Sequence, residues 1–288
     1  MNFAVIGGDM RQAKLAELLA ADGHKVSVYA QDKLIPAEEV SFKESAQEAL
    51  KDAECVVLPL PMTTKDGMLN TPLSNKRHTV TEVLGVIYEG QIVCAGRIDE
   101  ETYTKARDKK IVLIDYFARE ELAVSNAAAT AEGAVQIMME EMPITICGSK
   151  CLVLGFGRIG KMLAHKLHAL GARVTVSARK YSDRSWIEAL GYTAENTAEI
   201  DGRLSGYDAI INTVPARVLD ERRLKEVDSG CLCLDLASKP GGMDFGAASR
   251  LGVKAVWALS LPGEVAPVTS GKIIKDTIYN ILRERGMA

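Results

Sequence analysis

The sequence predicts an α/β chain of two domains, each a doubly wound parallel sheet. Three observations carry that expectation: the length of 288 residues, short and continuously apolar runs, and amphipathic segments that alternate with them. A chain of this length exceeds the usual reach of one hydrophobic core and suits two domains of about 120 to 150 residues each. Apolar runs without period-two alternation are what a strand shows when helices cover both faces of a parallel sheet. Their regular alternation with helices is the β-α-β pattern.

Phe3-Ala4-Val5-Ile6 ahead of Gly7-Gly8 reads as the first strand, Met10 to Gly23 as an amphipathic helix that stops at glycine, and Lys25 to Ala30 as the second strand. Further strands are predicted at 54–61, 91–97 and 110–116. The segment 62–80, rich in Thr, Lys, Asn and Pro, is the longest loop, and long loops at the C-terminal ends of such strands are where ligands usually bind. An Ala-rich helix from about 118 to 142, stopped by Pro143, is the natural connector between domains. A second series follows: strands KCLVLG, RVTVSAR, DAIINTV, CLCLDLA and KAVWA, with helices at 158–170, 182–190, 221–226 and 245–252. After Pro267 a last helix repeats its apolar positions Ile273, Ile274, Ile278, Ile281 and Leu282 at spacings of three and four, and is expected to return to the first domain. The expected division is therefore 1–142 plus 268–288 for one domain and 143–267 for the other.

Hydrophobic residues make up 47% and charged residues 25%, with a net charge of -3. Without a basic excess, nucleic acid and anionic membrane are not expected partners. The N-terminal MNFAVIGGDMRQ lacks a basic n-region and a cleavage site. No run approaches the roughly 18 apolar residues of a spanning helix, so a cytoplasmic protein is expected. Most of the cysteines (Cys55, Cys94, Cys147, Cys151, Cys231, Cys233) sit among Val, Ile and Leu and read as buried thiols. His165 and His168 lie three apart on a predicted helix without a third ligand at motif spacing, so no metal is expected.

Gly155-Phe156-Gly157-Arg158-Ile159-Gly160 follows an apolar strand and opens a helix. That context converts a weak glycine pattern into a dinucleotide fingerprint and makes the domains Rossmann-like. Gly155 allows the tight turn, Gly157 lets the backbone approach a pyrophosphate, and Gly160 lets helix pack on strand, with Arg158 and Ile159 opening the helix that faces the negative charge. An NAD-binding fold usually offers a carboxylate to the ribose about 20 residues onward. Here that place reads Val176-Ser177-Ala178-Arg179-Lys180. A hydroxyl at Ser177 and cations at Arg179 and Lys180 suit a 2′-phosphate, which favours NADP; the alternative is a solvated pair of loop cations.

Asn212, Thr213, Val214 and Pro215 end a later strand, where the loop would pass beside the nicotinamide ribose. Asp235 ends the next strand ahead of Gly241-Gly242, either at the cofactor or as a cap or turn residue. Asn126 and Thr130, four apart, would share a helix face and present polar atoms on an Ala-rich surface. In the competing reading Thr130 is the N-cap of a helix that starts later. Glu132 would then be a proton acceptor or would complement the helix dipole. Pro262 and Gly263 would position a return loop over the nicotinamide or act as a hinge.

Several patches together resemble the family of dipicolinate synthase A subunits from spore-forming bacteria: GGDMRQ at 7–12, SN at 125–126 with TAEG at 130–133, VLGFGRIGKM at 153–162, SAR at 177–179, INTVP at 211–215, LDLASKPGGMDF at 234–245 and LPGEVAPVTSG at 261–271. The resemblance implies a formate/glycerate dehydrogenase-like arrangement with the active site in the cleft between domains. It also implies partnership with a flavoprotein-like B subunit of dipicolinate synthase, and oxidation by NADP of a dihydrodipicolinate-level product of the lysine pathway in the mother cell of a sporulating bacterium. A homo-oligomer is expected as well. Such chemistry needs hydride and proton removal and anion clamps for a small dicarboxylate. Candidate clamps are Arg11, Arg97, Arg119 and Lys239. The alternatives are another NADP-dependent dehydrogenase of the hydroxy-acid or shikimate type, or a non-catalytic NADP-binding subunit. The former usually carries a Lys-Asp or His-Glu pair, and only His78, in the long loop, falls near the predicted cleft.

Overall fold

A computed structural model describes residues 1–35 and 38–287. The first apolar run forms β1 (Asn2–Ile6), buried from Phe3 onward. Next comes α1 (Met10–Ala21), which buries Leu15, Ala16 and Leu19. Then follow β2 (Lys25–Tyr29), β3 (Ser41–Phe42), α2 (Ala46–Leu50), β4 (Cys55–Val57), α3 (Val80–Gly85), β5 (Ile92–Ala95), α4 (Glu100–Asp108) and β6 (Val112–Asp115). The connecting helix is α5 (Glu120–Glu141).

The second series is β7 (Lys150–Leu154), α6 (Arg158–Ala169), β8 (Arg173–Ala178), α7 (Tyr181–Ala189), β9 (Thr193–Asn196), β10 (Ala209–Asn212), α8 (Glu221–Leu224), β11 (Leu232–Asp235), α9 (Phe245–Leu251), β12 (Lys254–Trp257) and α10 (Leu261–Val265), after which α11 (Pro267–Glu284) closes the chain.

Both sheets are wholly parallel. The first runs β3-β2-β1-β4-β5-β6 and the second β12-β11-β10-β7-β8-β9. Read from its other edge, the second has the same order as the first, so the two halves share one topology. Each sheet changes direction between its first and fourth strands, β1 and β4 or β7 and β10. In open α/β sheets the crevice beyond those strand ends is the usual ligand site.

The chain divides into one unit of residues 1–126 plus the segment from Ala266, and a second of residues 127–265. The division falls inside α5, whereas the boundary expected at 142 marks that helix's end. Core membership gives the reason: Leu122 packs with Phe3 and Leu15, while Ala131, Ala134, Met138 and Met142 pack with Val153 and Leu163. α11 joins the first unit as expected, burying Ile274, Ile278, Ile281 and Leu282 with Leu15 and Leu19. Lys275 Nζ and the Tyr279 hydroxyl both bind the Asp22 carboxylate, at 2.5 and 2.8 Å. This network holds the Asp22 carboxyl below the usual carboxylate range.

The apolar segment 54–61 keeps only Cys55–Val57 as strand. The edge strands β3 and β9 escaped the sequence pattern because β3 is only two residues long and Thr193–Asn196 is polar and only partly buried. The long loop 62–80 is stitched by bridges between Thr63 and Leu69 and between Met68 and Thr79. It is also tied to the end of β2, where Asp32 accepts bonds from the Ser74 hydroxyl and from Asn75.

Candidate dinucleotide site

The fingerprint glycines at the end of β7 have separable physical tasks. Gly155 adopts φ +100, and a Cβ there would lie 2.6 Å from Thr213 Oγ1 and 2.8 Å from Val214 Cγ2. Its N–H donates to the Ser177 carbonyl at 3.0 Å, tying the turn to β8. A Cβ on Gly160 would lie 2.1 Å from the Gly155 carbonyl oxygen, so close contact of helix and turn depends on a missing side chain. Gly157 differs: a Cβ there meets nothing within 4 Å. It is the N-cap of α6 and supplies no side-chain cap. Gly157 is exposed and brings neither a side chain nor a side-chain cap to the first N–H groups of α6, which suits the close approach of a pyrophosphate. Arg158 is exposed in the first turn, and Ile159 packs against the core.

A hydrogen-bonded hub braces the wall opposite. Thr213 donates from both its N–H and its hydroxyl to the Leu154 carbonyl, each at 2.9 Å. Asp235, fully buried at the end of β11, accepts from Asn212 Nδ2 at 2.7 Å and the Ala237 N–H at 3.0 Å on Oδ1, and from the Gly242 N–H at 2.7 Å on Oδ2. Asn212 also bonds both the N–H and the carbonyl of Val214. A Cβ on Gly242 would lie 2.1 Å from Asn212 Nδ2. Asp235 thus serves as the turn residue of the two readings, since its oxygens are occupied by the loop. Asn212 and Gly242, read from sequence as a strand-end residue and as half of a Gly-Gly turn, are joined here through Asp235, a link that sequence reasoning did not supply. Pro215 is exposed beyond this hub.

At the far end of β8, Arg179 and Lys180 are exposed, and neither makes an ion pair with any described residue. Ser177 does not stand with them: it is fully buried and accepts a hydrogen bond from Thr197 Oγ1 at 3.0 Å. Its hydroxyl has no open surface, so only its carbonyl, through Gly155, serves the turn.

α5 runs unbroken through Asn126, Thr130 and Glu132, which overturns the N-cap reading of Thr130 and the dipole reading of Glu132. Asn126 and Thr130 sit one turn apart, Thr130 buried. Glu132 lies on the exposed side and pairs with Lys166 at 2.8 Å. Lys239 is exposed in the loop after β11. Pro262 sits inside α10, so a helical turn stands where a return loop was expected. Among the other cations, Arg119 is spent on Glu121 and Glu284, at 2.9 and 2.5 Å. Arg97 is exposed after β5.

The first sheet has the same topology but a closed cradle. Asp9 and Gln12 form a capping box on α1, with the Arg11 N–H donating to Asp9 at 3.0 Å and the Asp9 N–H to Gln12 Oε1 at 3.1 Å. A Cβ on Gly8 would run into the Gln12 side chain at 2.5 Å. The Gly8 N–H is taken by the Asn70 carbonyl at 2.9 Å, and Thr71 lies against Gly7. One sheet thus offers an open helix start and the other fills its own.

Residues 2–117 match the family described as the N-terminal domain of the dipicolinate synthase A subunit, and residues 105–233 match D-isomer specific 2-hydroxyacid dehydrogenase, NAD binding domain. The dipicolinate synthase A subunit of Bacillus subtilis (strain 168) is 32% identical over 286 residues, 99% of this chain and 96% of that protein. The chain belongs to the family of dipicolinate synthase A subunits. Two solved structures of that family superpose closely. The one from Bacillus halodurans has a TM-score of 0.88 at 31% identity, covering 98% of this chain and 97% of its own. The one from Bacillus subtilis has a TM-score of 0.87 at 31% identity, covering 99% and 96%. This member of the dipicolinate synthase family therefore carries a nicotinamide-dinucleotide binding domain of the dehydrogenase type and is an oxidoreductase. No helix among the described residues is long and apolar enough to cross a membrane.

Proposed function

We propose that the chain uses NADP to oxidise a dihydrodipicolinate-level intermediate to dipicolinate. The observation that carries the cofactor choice is the pair Arg179 and Lys180, exposed directly after β8 where an NAD enzyme places a carboxylate. A 2′-phosphate there gains charge-assisted bonds that a 2′-hydroxyl cannot make. The open helix start at Gly157 fits the pyrophosphate of the same molecule. When bound, NADP supplies the hydride acceptor. The chain's own residues hold and orient it: α6 receives the pyrophosphate, the Thr213–Val214 turn supports the far ribose, and the Asp235–Asn212–Gly242 hub keeps that turn in place. Aromatisation removes one hydride and one proton from the dihydropyridine. In this reading the second unit holds NADP and the first, with α11, receives the dicarboxylate. A second, flavoprotein-like subunit is the proposed partner, with a homo-oligomeric core and a place in the mother-cell cytoplasm.

Arg179→Asp tests the reading. NADPH affinity should fall about 10- to 100-fold, as for the loss of one charged contact, while NADH affinity stays within about twofold. Equal losses for the two cofactors would remove the reason for choosing NADP. Substrate identity is tested by following NADPH absorbance when NADP and freshly made intermediate are added, with and without the second subunit. No turnover in either mixture would refute the substrate assignment.

A further inference from the structure

In both sheets the strand order reverses between the first and fourth strands, where open α/β sheets usually bind ligands in a crevice, and a buried cation follows the first of these reversals. Arg11 is only 7% exposed. Its Nε donates to Asp9 Oδ1 and Oδ2 at 3.0 and 3.2 Å and its Nη2 to Asp9 Oδ2 at 2.8 Å. Nη2 also donates to the Leu60 carbonyl, on the segment that leaves β4. Three N–H bonds of the fork are thereby directed at protein acceptors and the guanidinium plane is held. Nη1 bonds to no described residue, and among the described residues no buried polar side-chain atom lacks a partner, so Nη1 is not sealed from solvent.

We infer that Arg11 is the residue of the first unit that binds one carboxylate of the substrate, through the two N–H groups of Nη1. The inference rests on the proposed function, which supplies a planar dicarboxylate, and it deepens that reading by naming the group that receives it. The usual anion donor at such a crevice, the helix start, is closed on α1 by Asp9 and Gln12. The strand order reverses between β1 and β4, the usual place for a ligand in such a sheet, and Arg11 and Leu60 follow those two strands. A guanidinium held in plane by two other partners meets a carboxylate with little further ordering, and its geometry matches that anion better than an ammonium would. Asp9 acts here as a positioning residue, since it fixes the fork and leaves one end of it open.

The test titrates dipicolinate into the full chain at saturating NADPH, comparing wild type with Arg11→Gln and Arg11→Lys. Both variants should bind dipicolinate about tenfold or more weakly, with NADPH affinity within about twofold of wild type. Arg11→Lys keeps the charge, so it reports if the glutamine variant fails to fold; a lysine cannot hold Asp9 and Leu60 and still present a free N–H pair. Dipicolinate binding as tight as wild type in a folded variant would overturn the assignment of Arg11, as would parallel loss of dipicolinate and NADPH binding. Failure of the wild type itself to bind dipicolinate would instead overturn the proposed function.

Discussion

Asp235→Asn should destabilise the second unit by about 2 to 4 kcal/mol. All three donors that meet the Asp235 side chain approach within 3.0 Å, and the residue is fully buried. An amide nitrogen at the Oδ1 position would face Asn212 Nδ2 and the Ala237 N–H; at the Oδ2 position it would face the Gly242 N–H. In the better orientation one buried donor still loses its acceptor, at about 1 to 3 kcal/mol, and the other two exchange a charged acceptor for a neutral one. Flipping Asn212 gives no escape, because its amide is also fixed by the N–H and carbonyl of Val214, at 3.1 and 3.0 Å. At about 2 to 4 °C per kcal/mol for a domain near this size, the melting temperature should fall by roughly 5 to 15 °C. Thermal melts by circular dichroism read the change. A melting temperature within about 1 °C of wild type would refute the view that this carboxylate organises the loop.

The fingerprint glycines should separate stability from binding: Gly160→Ala, whose Cβ would meet the Gly155 oxygen at 2.1 Å, should cost about 1 to 3 kcal/mol or more in a melt, whereas Gly157→Ala, with no neighbour within 4 Å, should melt near wild type and lose NADPH affinity in a fluorescence titration. Asp32 is depressed to about 2, chiefly by the Ser74 hydroxyl and the Asn75 N–H. A depressed folded value gives stability that is present above the ordinary carboxylate range and lost as pH falls towards 2, so the 62–80 loop should gain amide-exchange protection between about pH 2 and 4. The effect is small because Asp32 is solvent-exposed, and Ser74→Ala should shrink it; an exchange pattern flat across that range would count against the tether.

Much of the fold was legible because strands and helices announce themselves over short distances. The run from Cys151 to Leu154 and the glycines after it needed only their neighbours in sequence to be read as strand, turn and helix start. β3 and β9 were not legible, since a two-residue strand and a polar one are specified by the neighbour they pair with rather than by their own apolarity. Thr130 was ambiguous for a related reason: the residues around it suit a helix start or a helix middle, and the packing of Leu122 on one side and Ala131 on the other decides for the middle. At the candidate site, Gly155, Gly157 and Gly160 were readable as a set, but their separate tasks depend on what a Cβ would strike.

By itself the sequence determined the α/β class, the doubly wound second half with its open glycine turn, the missing carboxylate after β8 and the return of the last helix, because each follows from local periodicity, glycine spacing or residue type. Only the tertiary structure decided that Ser177 turns inward to Thr197, that Asp235 serves Asn212 and Gly242, that Glu132 pairs with Lys166, and that the first sheet closes its own helix start while leaving one end of Arg11 open. These outcomes depend on partners far apart in the chain, such as Asn212 with Asp235 or Arg11 with Leu60. Hydrogen-bond saturation and burial are set when such partners meet, and residue type and spacing do not carry that information.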